Sequence, residues 1–407
     1  MDFITRYKKI HTLKINCNIT EQFKIQKIMF GFGGSNNIIL IVKDNDKNDL
    51  VIKVIPDMIY FNFKVRPNQD QLEIKLYQFL TNRYILTERT PHIIGIYNHQ
   101  KCTTIDRLLK EIRPSKKACP TYEDKLKNKI EPDVVDDKLC TLALQHEMKI
   151  VGPTYDIILL EYCSGELHAI IGWNMNQIRE SNRKNYQERI DFFINDLRRI
   201  FFQVIFTLAL IKDDYPGFLH GDFFVRNILI ANNELYNDND YIAYYYNKKI
   251  FYLLANGLYA KINDFGTTII ANELEPDTME YTKLLDKYYH LNPFSQKTDI
   301  FNFFHDIYDG QNLGTYSIKK LAYEMKIPPE DIEPIKNYID NFIDVATIDK
   351  INANNWSLLD NTWFIDGLKV LEDTVQTPSQ YLDKQYFGTY QELPDGANIV
   401  KHYNKPQ

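Results

Sequence analysis

The stretch FLHGDFFVRNILI, residues 218–230, carries a polar trio between two apolar segments. Asp222 stands two residues after His220, and Asn227 follows Asp222 by five residues. The apolar flanks predict that this trio lies at the mouth of a buried segment. An Asp and an Asn so placed are either turn formers or a catalytic base with a metal-binding neighbour. The remaining motifs of the chain bear on that choice.

The composition is that of an ordinary globular protein. Of the 407 residues, 44% are hydrophobic and 25% are charged, which is enough for a sizeable core and roughly two to three domains. The net charge is −6 with Lys and Arg scattered, so no nucleic-acid footprint is evident. The longest apolar run, at 200–211, is too short for a transmembrane segment and predicts a buried helix. The N-terminus lacks the apolar core of a signal peptide.

The cysteines indicate a reducing compartment. They are odd in number and form no C-x-x-C pair, which argues against both a disulfide framework and a zinc site. We therefore expect a cytoplasmic protein, and the sequence leaves its oligomeric state open. The five are Cys17, Cys102, Cys119, Cys140 and Cys163.

Strand patterns dominate the first part of the chain. Residues 21–56 alternate and are rich in Ile and Val, with a glycine cluster at 31–34 and a polar turn at 43–49. This pattern predicts strand, glycine turn, strand, hairpin and strand. The spacing of apolar residues predicts an amphipathic helix over 71–84, and 157–162 is expected to be a short buried strand.

Helical patterns dominate the later part. Residues 188–212 give the strongest helical periodicity, and the chain is helical again from about 295. Two short strands, 227–230 and 259–262, bracket a Tyr- and Asn-rich insertion at 231–250.

Three features suggest phosphate chemistry, although each has a structural explanation. Gly31 and Gly33 would let the backbone approach a phosphate closely, but glycine hairpins are common. Lys53 lies within the apolar strand LVIKVI, where burial is costly without a partner such as Glu73, unless the lysine reaches water at a sheet edge. Asp264, in KINDFGT, follows a strand, where Asp is either a turn former or a metal ligand.

Taken together, these motifs resemble the protein kinase superfamily. That family has an ordered set of a Gly-rich loop, a strand lysine, a helix glutamate, H-R-D-x-x-x-x-N and D-F-G. Each motif is weak alone, but the ordered set is specific and spans roughly residues 25–310. The chain contains, in order, GFGGSNNI from Gly31 to Ile38, Lys53, Glu73, HGDFFVRN at 220–227 and DFG at 264–266.

The resemblance implies an α+β, two-lobed protein-kinase-like fold with a β-rich N-lobe and a helical C-lobe. The N-lobe would span 1–160 and include an insertion at 101–150. A hinge at 161–166 would lead into a helical C-lobe at 167–374, and 375–407 would form a C-terminal tail.

The resemblance also implies roles for the site residues. Asp222 would be the catalytic base, and Lys53, fixed by Glu73, would hold the phosphates of ATP. Asn227 and Asp264 would bind Mg²⁺. The other nucleotide contacts implied are Gly31, Gly33 and Ile38, the backbone at Glu161 and Cys163, and Glu166 at the ribose.

Further correspondences concern supporting residues. Leu160 would be the gatekeeper beside the adenine. Asp299 would be the buried aspartate that supports the catalytic loop, and Tyr77, His220 and Phe265 would stack as a spine.

The chain departs from the family pattern in the catalytic loop itself. Gly221 replaces the usual Arg, and Phe224 replaces the Lys found in many serine/threonine kinases. Arg226 is reminiscent of tyrosine kinases, which leaves the acceptor in doubt. H-G-D also occurs in haspin-like kinases, aminoglycoside phosphotransferases and kinases of large DNA viruses. The abundance of Asn, Ile, Lys and Tyr, typical of AT-rich genomes, favours comparison with poxvirus or giant-virus kinases.

We expect an ATP-dependent protein kinase that acts on a protein substrate, with Ser/Thr favoured over Tyr, in the host cytoplasm or virion if viral. Two alternatives stay open: a small-molecule kinase of aminoglycoside or choline type, and a pseudokinase scaffold. The intact D-F-G and the Lys–Glu pair weigh against the first. The presence of Lys53, Asp222, Asn227 and Asp264 weighs against the second.

Overall fold

The chain divides into two units, which both mix helices and strands, so the α+β class is confirmed. One unit comprises Met1–Asp70 and Gly95–Tyr162, and the other comprises Gln71–Ile94 and Cys163–Gln407. The predicted lobe boundaries stay a prediction. The computed structural model describes residues 3–12, 15–30, 37–59, 69–113, 119, 134–181, 185–233, 236–270, 273–274, 297–309, 317–345 and 375–406.

An antiparallel five-stranded sheet, in the order β1-β2-β3-β5-β4, forms the centre of the first unit. The strands and the hairpin predicted within 21–56 are confirmed, whereas the glycine turn lies outside the described residues. The strand predicted at 157–162 is longer than expected, because its pairing partners continue on both sides. The strands are β1 Lys24–Phe30, β2 Ile38–Lys43, β3 Asp49–Met58, β4 Ile96–Thr103 and β5 Val151–Glu161.

Helices cover one face of this sheet. The predicted insertion at 101–150 supplies two of them, whose apolar residues join one core with the buried residues of β2 and β3. In α4 the buried residues Ile105, Leu108, Leu109 and Ile112 recur every three or four positions, so a single face of the helix is apolar. The helices are α1 Phe3–Ile10, α2 Ile19–Gln22, α4 Ile105–Ile112 and α5 Val134–Glu147, with α3 Gln69–Leu80 between β3 and β4.

Two disulfide bonds in this unit correct the expectation that the cysteines are all reduced. Cys17 is bonded to Cys102, across 85 residues of sequence, and Cys119 is bonded to Cys140, across 21. Cys163 is a free thiol. Both pairs join segments that are distant in sequence, which is why C-x-x-C spacing did not reveal them.

A long helix, α7, lies at the centre of the second unit. It spans Tyr186–Asp214, and residues 200–211 are buried throughout, as predicted. Gln203 is a polar residue in this apolar run: its side chain accepts a hydrogen bond from the Ala260 amide (2.7 Å) and donates one to the Leu258 carbonyl (3.0 Å). The helix thereby fixes the strand that leads to Asp264. No helix in the described ranges is long and apolar enough to cross a membrane.

Small sheets in the second unit carry the catalytic-loop region. The strand pair predicted around 227–230 and 259–262 is confirmed as antiparallel β8 and β11. The insertion between them forms a hairpin, β9–β10, and the C-terminal strand β13 pairs with β9. The strands are β6 Gly165–Glu166, β7 Phe218–Leu219, β8 Ile228–Asn233, β9 Asp240–Tyr246, β10 Lys249–Leu254, β11 Gly257–Ile262, β12 Ile269–Ile270 and β13 Asn398–Tyr403.

The remaining helices confirm the helical pattern predicted from 295, and the tail proves to be structured. Thr377 begins the tail helix with a capping box, in which its hydroxyl accepts from the Gln380 amide and satisfies an otherwise unpaired backbone group. The helices are α6 Leu167–Glu180, α8 Thr298–Tyr308, α9 Ile318–Glu324, α10 Pro329–Asp340 and α11 Pro378–Asp383, with a π turn at Thr81–Ile85 and 3₁₀ turns at Val225–Asn227 and Gln385–Tyr390.

Candidate active site

The carboxylate of Asp222 is held by its own loop. Arg226 Nη2 donates to Oδ1 at 2.5 Å, and Asn227 Nδ2 donates to Oδ2 at 2.8 Å. Asn227 Nδ2 also donates to the Asp222 carbonyl at 2.7 Å. About a quarter of the Asp222 side chain (26%) is exposed. A carboxylate that is fixed yet accessible can orient a hydroxyl group and accept its proton.

The loop that contains Asp222 is supported by the fully buried Asp299, as predicted. The backbone amide of His220 donates to both Asp299 oxygens at 3.2 Å, and the Gly221 amide donates to Oδ1 at 3.4 Å. The Lys212 side chain is only 1% exposed, and its Nζ lies 3.1 Å from Asp299 Oδ2. The sequence motifs do not indicate a role for Lys212. A lysine directly after the apolar run 200–211 nevertheless suggests a buried cation that needs an acidic partner. Buried charges of this kind need a partner, and this pair supplies one.

His220 connects the catalytic loop to the segment that contains Asp264. Its Nε2 lies 3.0 Å from the Asn263 carbonyl. Because a carbonyl only accepts, Nε2 carries the proton. Thr267 and Thr268 both donate their hydroxyls to the His220 carbonyl, at 3.0 and 3.1 Å. Burial lowers the pKa of His220, against the opposing effect of nearby carboxylates, so the ring is neutral and serves as a structural connector.

Asp264 has an unusual backbone conformation. Its φ is +62°, in the left-handed region that non-glycine residues adopt infrequently. Its amide donates to the Tyr77 hydroxyl at 3.3 Å, and that hydroxyl donates to Asn263 Oδ1 at 2.8 Å. Residues held in such a conformation by their surroundings cluster at functional sites. The backbone conformation therefore makes Asp264 a candidate functional residue.

The predicted aromatic spine is present within the second unit. The ring of Phe265 packs edge-on against Tyr77, with centroids 5.0 Å apart, and against His220 at 5.4 Å. These contacts connect α3, the Asp264 segment and the catalytic loop.

Steric crowding explains why the middle residue of H-G-D, Gly221, is a glycine. Gly221 has φ +79°, and a Cβ there would lie 2.7 Å from the Thr267 carbonyl oxygen. Any side chain, including the family's Arg, would therefore require the loop to move.

Arg226 is a functional candidate to which the sequence reasoning assigned no role. Its guanidinium carbon lies 4.7 Å from the centre of the Phe224 ring, so it places a positive charge beside the position where the family has Lys. Its Nη1 is buried and makes no hydrogen bond within the described part of the chain. Of the two terminal nitrogens of the guanidinium, Nη2 therefore holds Asp222, whereas Nη1 is not used in this contact.

The predicted phosphate-binding residues are distributed over both units. Lys53, in β3, is 7% exposed, and Glu73, in α3 of the second unit, is 3% exposed. Gly31 and Gly33 lie outside the described residues. Ile38 differs from the expectation: it is fully buried opposite Val54 in the core under the helices. Its neighbour Ile39 pairs with Lys53, so Ile39 shares the face of Lys53, because side chains alternate along a strand.

The other predicted nucleotide contacts lie at the end of β5 and in the residues that follow it in the chain. Leu160 is on the same sheet face as Lys53, since Lys53 pairs with Ile158 and alternate residues share a face. Glu161 ends β5, and Cys163 is the first residue of the second unit's later part. Glu166 Oε2 lies 2.9 Å from His168 Nδ1.

The donor set suits a magnesium ion. Mg²⁺ takes one or two carboxylate or amide oxygens and otherwise keeps water and phosphate ligands. Because Asn227 uses its Nδ2 on Asp222, its Oδ1 is the atom left for a cation. The Asn263 amide donates to the Asn227 carbonyl at 2.9 Å, which ties Asn227 to the segment that carries Asp264. Asn227 and Asp264 would hold the ion.

The supported Asp222 loop, the adjacent Asn227 and the conformation of Asp264 agree with the arrangement that the protein-kinase resemblance implies. No model of a known protein family matches the chain. A protein of Acanthamoeba polyphaga mimivirus named "Putative serine/threonine-protein kinase" is 46% identical over 409 residues, covering 100% of both chains. A second mimivirus protein with that description is 25% identical over 164 residues, or 38% of this chain and 32% of its own. The chain belongs to the protein kinase superfamily, in a group that includes giant-virus members.

Proposed function

We propose that this protein is an ATP-dependent protein kinase that phosphorylates a protein hydroxyl, with Ser/Thr favoured over Tyr. The observation that carries the proposal is the Asp222 carboxylate, fixed by Arg226 and Asn227 on a loop that Asp299 supports. The description of the mimivirus relative favours Ser/Thr. We also propose that it acts in the host cytoplasm or the virion.

In the proposed reaction, Asp222 orients the substrate hydroxyl and accepts its proton. The hydroxyl oxygen forms a bond to the γ-phosphorus of ATP as the bond to the ADP oxygen breaks. Lys53 binds the ATP phosphates, fixed by Glu73, and Arg226 keeps the Asp222 carboxylate in place through Nη2. Mg²⁺, when bound, neutralises phosphate charge. Positioning and electrostatic stabilisation account for most of the rate in such reactions.

We further propose that residues 1–160 form the N-lobe and 167–374 the C-lobe, with the adenine bound by the backbone at Glu161 and Cys163 in the hinge at 161–166. Gly31 and Gly33 would cover the phosphates, and Glu166 would reach the ribose from its pair with His168. Ile39, rather than the buried Ile38, would contact the nucleotide from β2, because it shares the face of Lys53.

A phosphotransfer assay tests this function. The purified protein is given Mg-ATP with casein, myelin basic protein, or a panel of aminoglycosides and choline. We expect phosphate on Ser or Thr of the protein substrates. Transfer only to a small molecule would support the alternative of a small-molecule kinase. Absence of transfer to every acceptor, with Mg-ATP binding intact, would support the pseudokinase scaffold.

The metal role has a separate test. Asp264→Ala removes a proposed magnesium ligand, so Mg-ATP should raise its melting temperature much less than it raises that of the wild type, whereas metal-free ADP should act similarly on both. Asp238→Ala, at an exposed carboxylate of the same unit, is the matched control. An unchanged Mg-ATP shift in Asp264→Ala would exclude the assignment.

A further inference from the structure

The C-terminal strand reaches the segment that continues α3. β13 runs parallel to β9, from the pair Asn398–Asp240 to the pair Tyr403–Tyr244. It is therefore the third strand of the sheet begun by the inserted hairpin. The residue after it, Asn404, lies beside Glu88 and Arg89.

Asn404 joins the hairpin to the 88–89 segment. Its amide donates to the Glu88 carbonyl at 2.9 Å, and its Oδ1 accepts from Arg89 Nε at 3.2 Å. Its Nδ2 donates to the Tyr245 carbonyl in β9 at 2.8 Å. Lys401 adds an ion pair with the Glu88 carboxylate. One side chain thus contacts both the sheet and the α3 continuation.

The same segment is held from its other side by α7. Asp214, at the end of that helix, pairs with Arg89 and accepts from the Tyr84 hydroxyl at 3.0 Å. The Arg89 guanidinium also lies 5.1 Å from the centre of the Tyr84 ring. Residues 84–89 are therefore clamped between the end of α7 and the C-terminal strand.

The backbone at this junction supports a specific arrangement. Glu88 has φ +56° and Asn404 has φ +53°, both in the left-handed region. Asn adopts this conformation more readily than most residues, whereas Glu rarely does. Such conformations persist where surrounding contacts fix them, and here the contacts are those between the tail and the 88–89 segment.

The clamped segment leads directly into the site. Residues 81–85 extend α3 as a π turn, and α3 carries Glu73 and Tyr77. The Tyr77 hydroxyl is bonded to Asn263 and to the Asp264 amide. Because a helix is a stiff element, fixing its C-terminal end fixes the direction of the side chains along it.

We propose that residues 398–404 are a positioning element of the kinase, which holds the end of α3 and thereby the placement of Glu73, Tyr77 and Asp264. This proposal rests on the proposed function. In this proposal residues 398–404 do not contact the substrate. They affect phosphotransfer indirectly, because they hold α3 in position.

Asn404→Gly tests the proposal. Glycine keeps the positive φ without strain and removes both side-chain hydrogen bonds. We expect kcat to fall on the order of tenfold, since displacements of about 1 Å remote from the chemistry can cost up to about 100-fold. Asn404→Asp keeps the acceptor for Arg89 but loses the donor to the Tyr245 carbonyl, so it should recover only the part of the loss that comes from the Arg89 bond.

Tyr245→Phe is the matched control. It removes the hydrogen bond between the Tyr245 hydroxyl and His402 Nδ1, 3.0 Å apart, which joins the tail to the hairpin without touching residues 88–89. A purely structural tail predicts equal effects on kcat in Asn404→Gly and Tyr245→Phe at matched loss of melting temperature. The positioning role predicts a fall in kcat only in Asn404→Gly.

Hydrogen exchange separates failure of this inference from failure of the proposed function. In Asn404→Gly, amides 84–90 should exchange faster than in the wild type and in Tyr245→Phe, whether or not the protein transfers phosphate. Unchanged exchange there, or wild-type kcat in an active Asn404→Gly enzyme, would overturn the positioning role. An inactive wild type would instead count against the kinase assignment.

Discussion

The two insertions, 101–150 and 231–250, have similar polar sequences but different structural roles. The described part of the first forms two helices, Ile105–Ile112 and Val134–Glu147, on the sheet face opposite Lys53, where apolar residues and two disulfides hold it. The second contributes a hairpin between β8, which follows Asn227, and β11, which precedes Asp264, and this hairpin pairs with the C-terminal strand.

This difference shows that anchoring, more than composition, determines what an insertion does. The first insertion is attached to a core away from Lys53, so its loss should lower stability. The second is attached to both strands of the site and, through the tail, to the continuation of α3. Changes there should affect stability and catalysis together.

The largest expected effect is at Asp222, where a substitution should lower kcat and leave the stability of the fold unchanged. Asp222→Asn should lower kcat by about 10²–10⁴, the usual worth of a positioned base, because Asn cannot accept the proton. Its melting temperature should stay close to that of the wild type, as the side chain is partly exposed. Steady-state kinetics and calorimetry on one preparation check both. Near wild-type turnover would remove Asp222 from the mechanism.

The Cys17–Cys102 bond is the opposite case: its removal should lower the stability of the protein and leave turnover unchanged. Its loop of 85 residues predicts that Cys17→Ser together with Cys102→Ser costs about 2–5 kcal/mol of unfolding free energy. Turnover per folded molecule should be unchanged. Denaturant unfolding under oxidising conditions measures the loss, with Cys163→Ser as control. Equal stability with and without reductant would show that the bond does not form in solution.

Tyr244 probes the second insertion. Its hydroxyl lies 2.9 Å from Nε2 of the buried His92, whose Nδ1 lies 2.9 Å from the Ala260 carbonyl. Nδ1 therefore donates and Nε2 accepts from Tyr244. Tyr244→Phe leaves Nε2 buried without a partner and should cost about 1–3 kcal/mol. Tyr245→Phe on the same strand is the control, and an equal cost in both variants would refute a special role for the His92 contact.

The most gradual expected effect is a pH dependence of stability. Burial lowers the pKa of His92 and His220 below the ordinary 6.5, so the unfolded chain takes up these protons first as pH falls. Stability should be complete above about pH 6.5 and fall below it, by up to about 1.4 kcal/mol per pH unit for each His.

Asp196 opposes this trend. Burial raises its pKa to about 6, so the folded protein takes up that proton first and gains stability as pH falls from about 6 towards 4. Asp196→Asn should therefore steepen the loss between pH 7.5 and 5.5 in urea unfolding, whereas His11→Gln, at an exposed site, should not alter it. A flat profile in Asp196→Asn, in which the opposing carboxyl is absent, would contradict the neutral state of both buried histidines.

The sequence by itself determined the parts of this protein that depend on local pattern. The apolar run at 200–211 specified a buried helix, and alternation specified β2 and β3, because burial follows helical and strand periodicity. The ordered motifs predicted roles for Asp222, Asn227 and Asp264, which stay predictions, and the support from Asp299 that they implied is present.

Only the tertiary structure decided which distant segments meet. The Cys17–Cys102 bond, the Lys212–Asp299 pair, the sheet face of Ile38 and the docking of Asn404 on Arg89 all join residues far apart in sequence. Local periodicity contains no information on such partners, and a register shift of one residue moves a side chain to the opposite sheet face. These pairings follow from the packing of the whole chain, because each contact forms only after other elements have brought its two residues together.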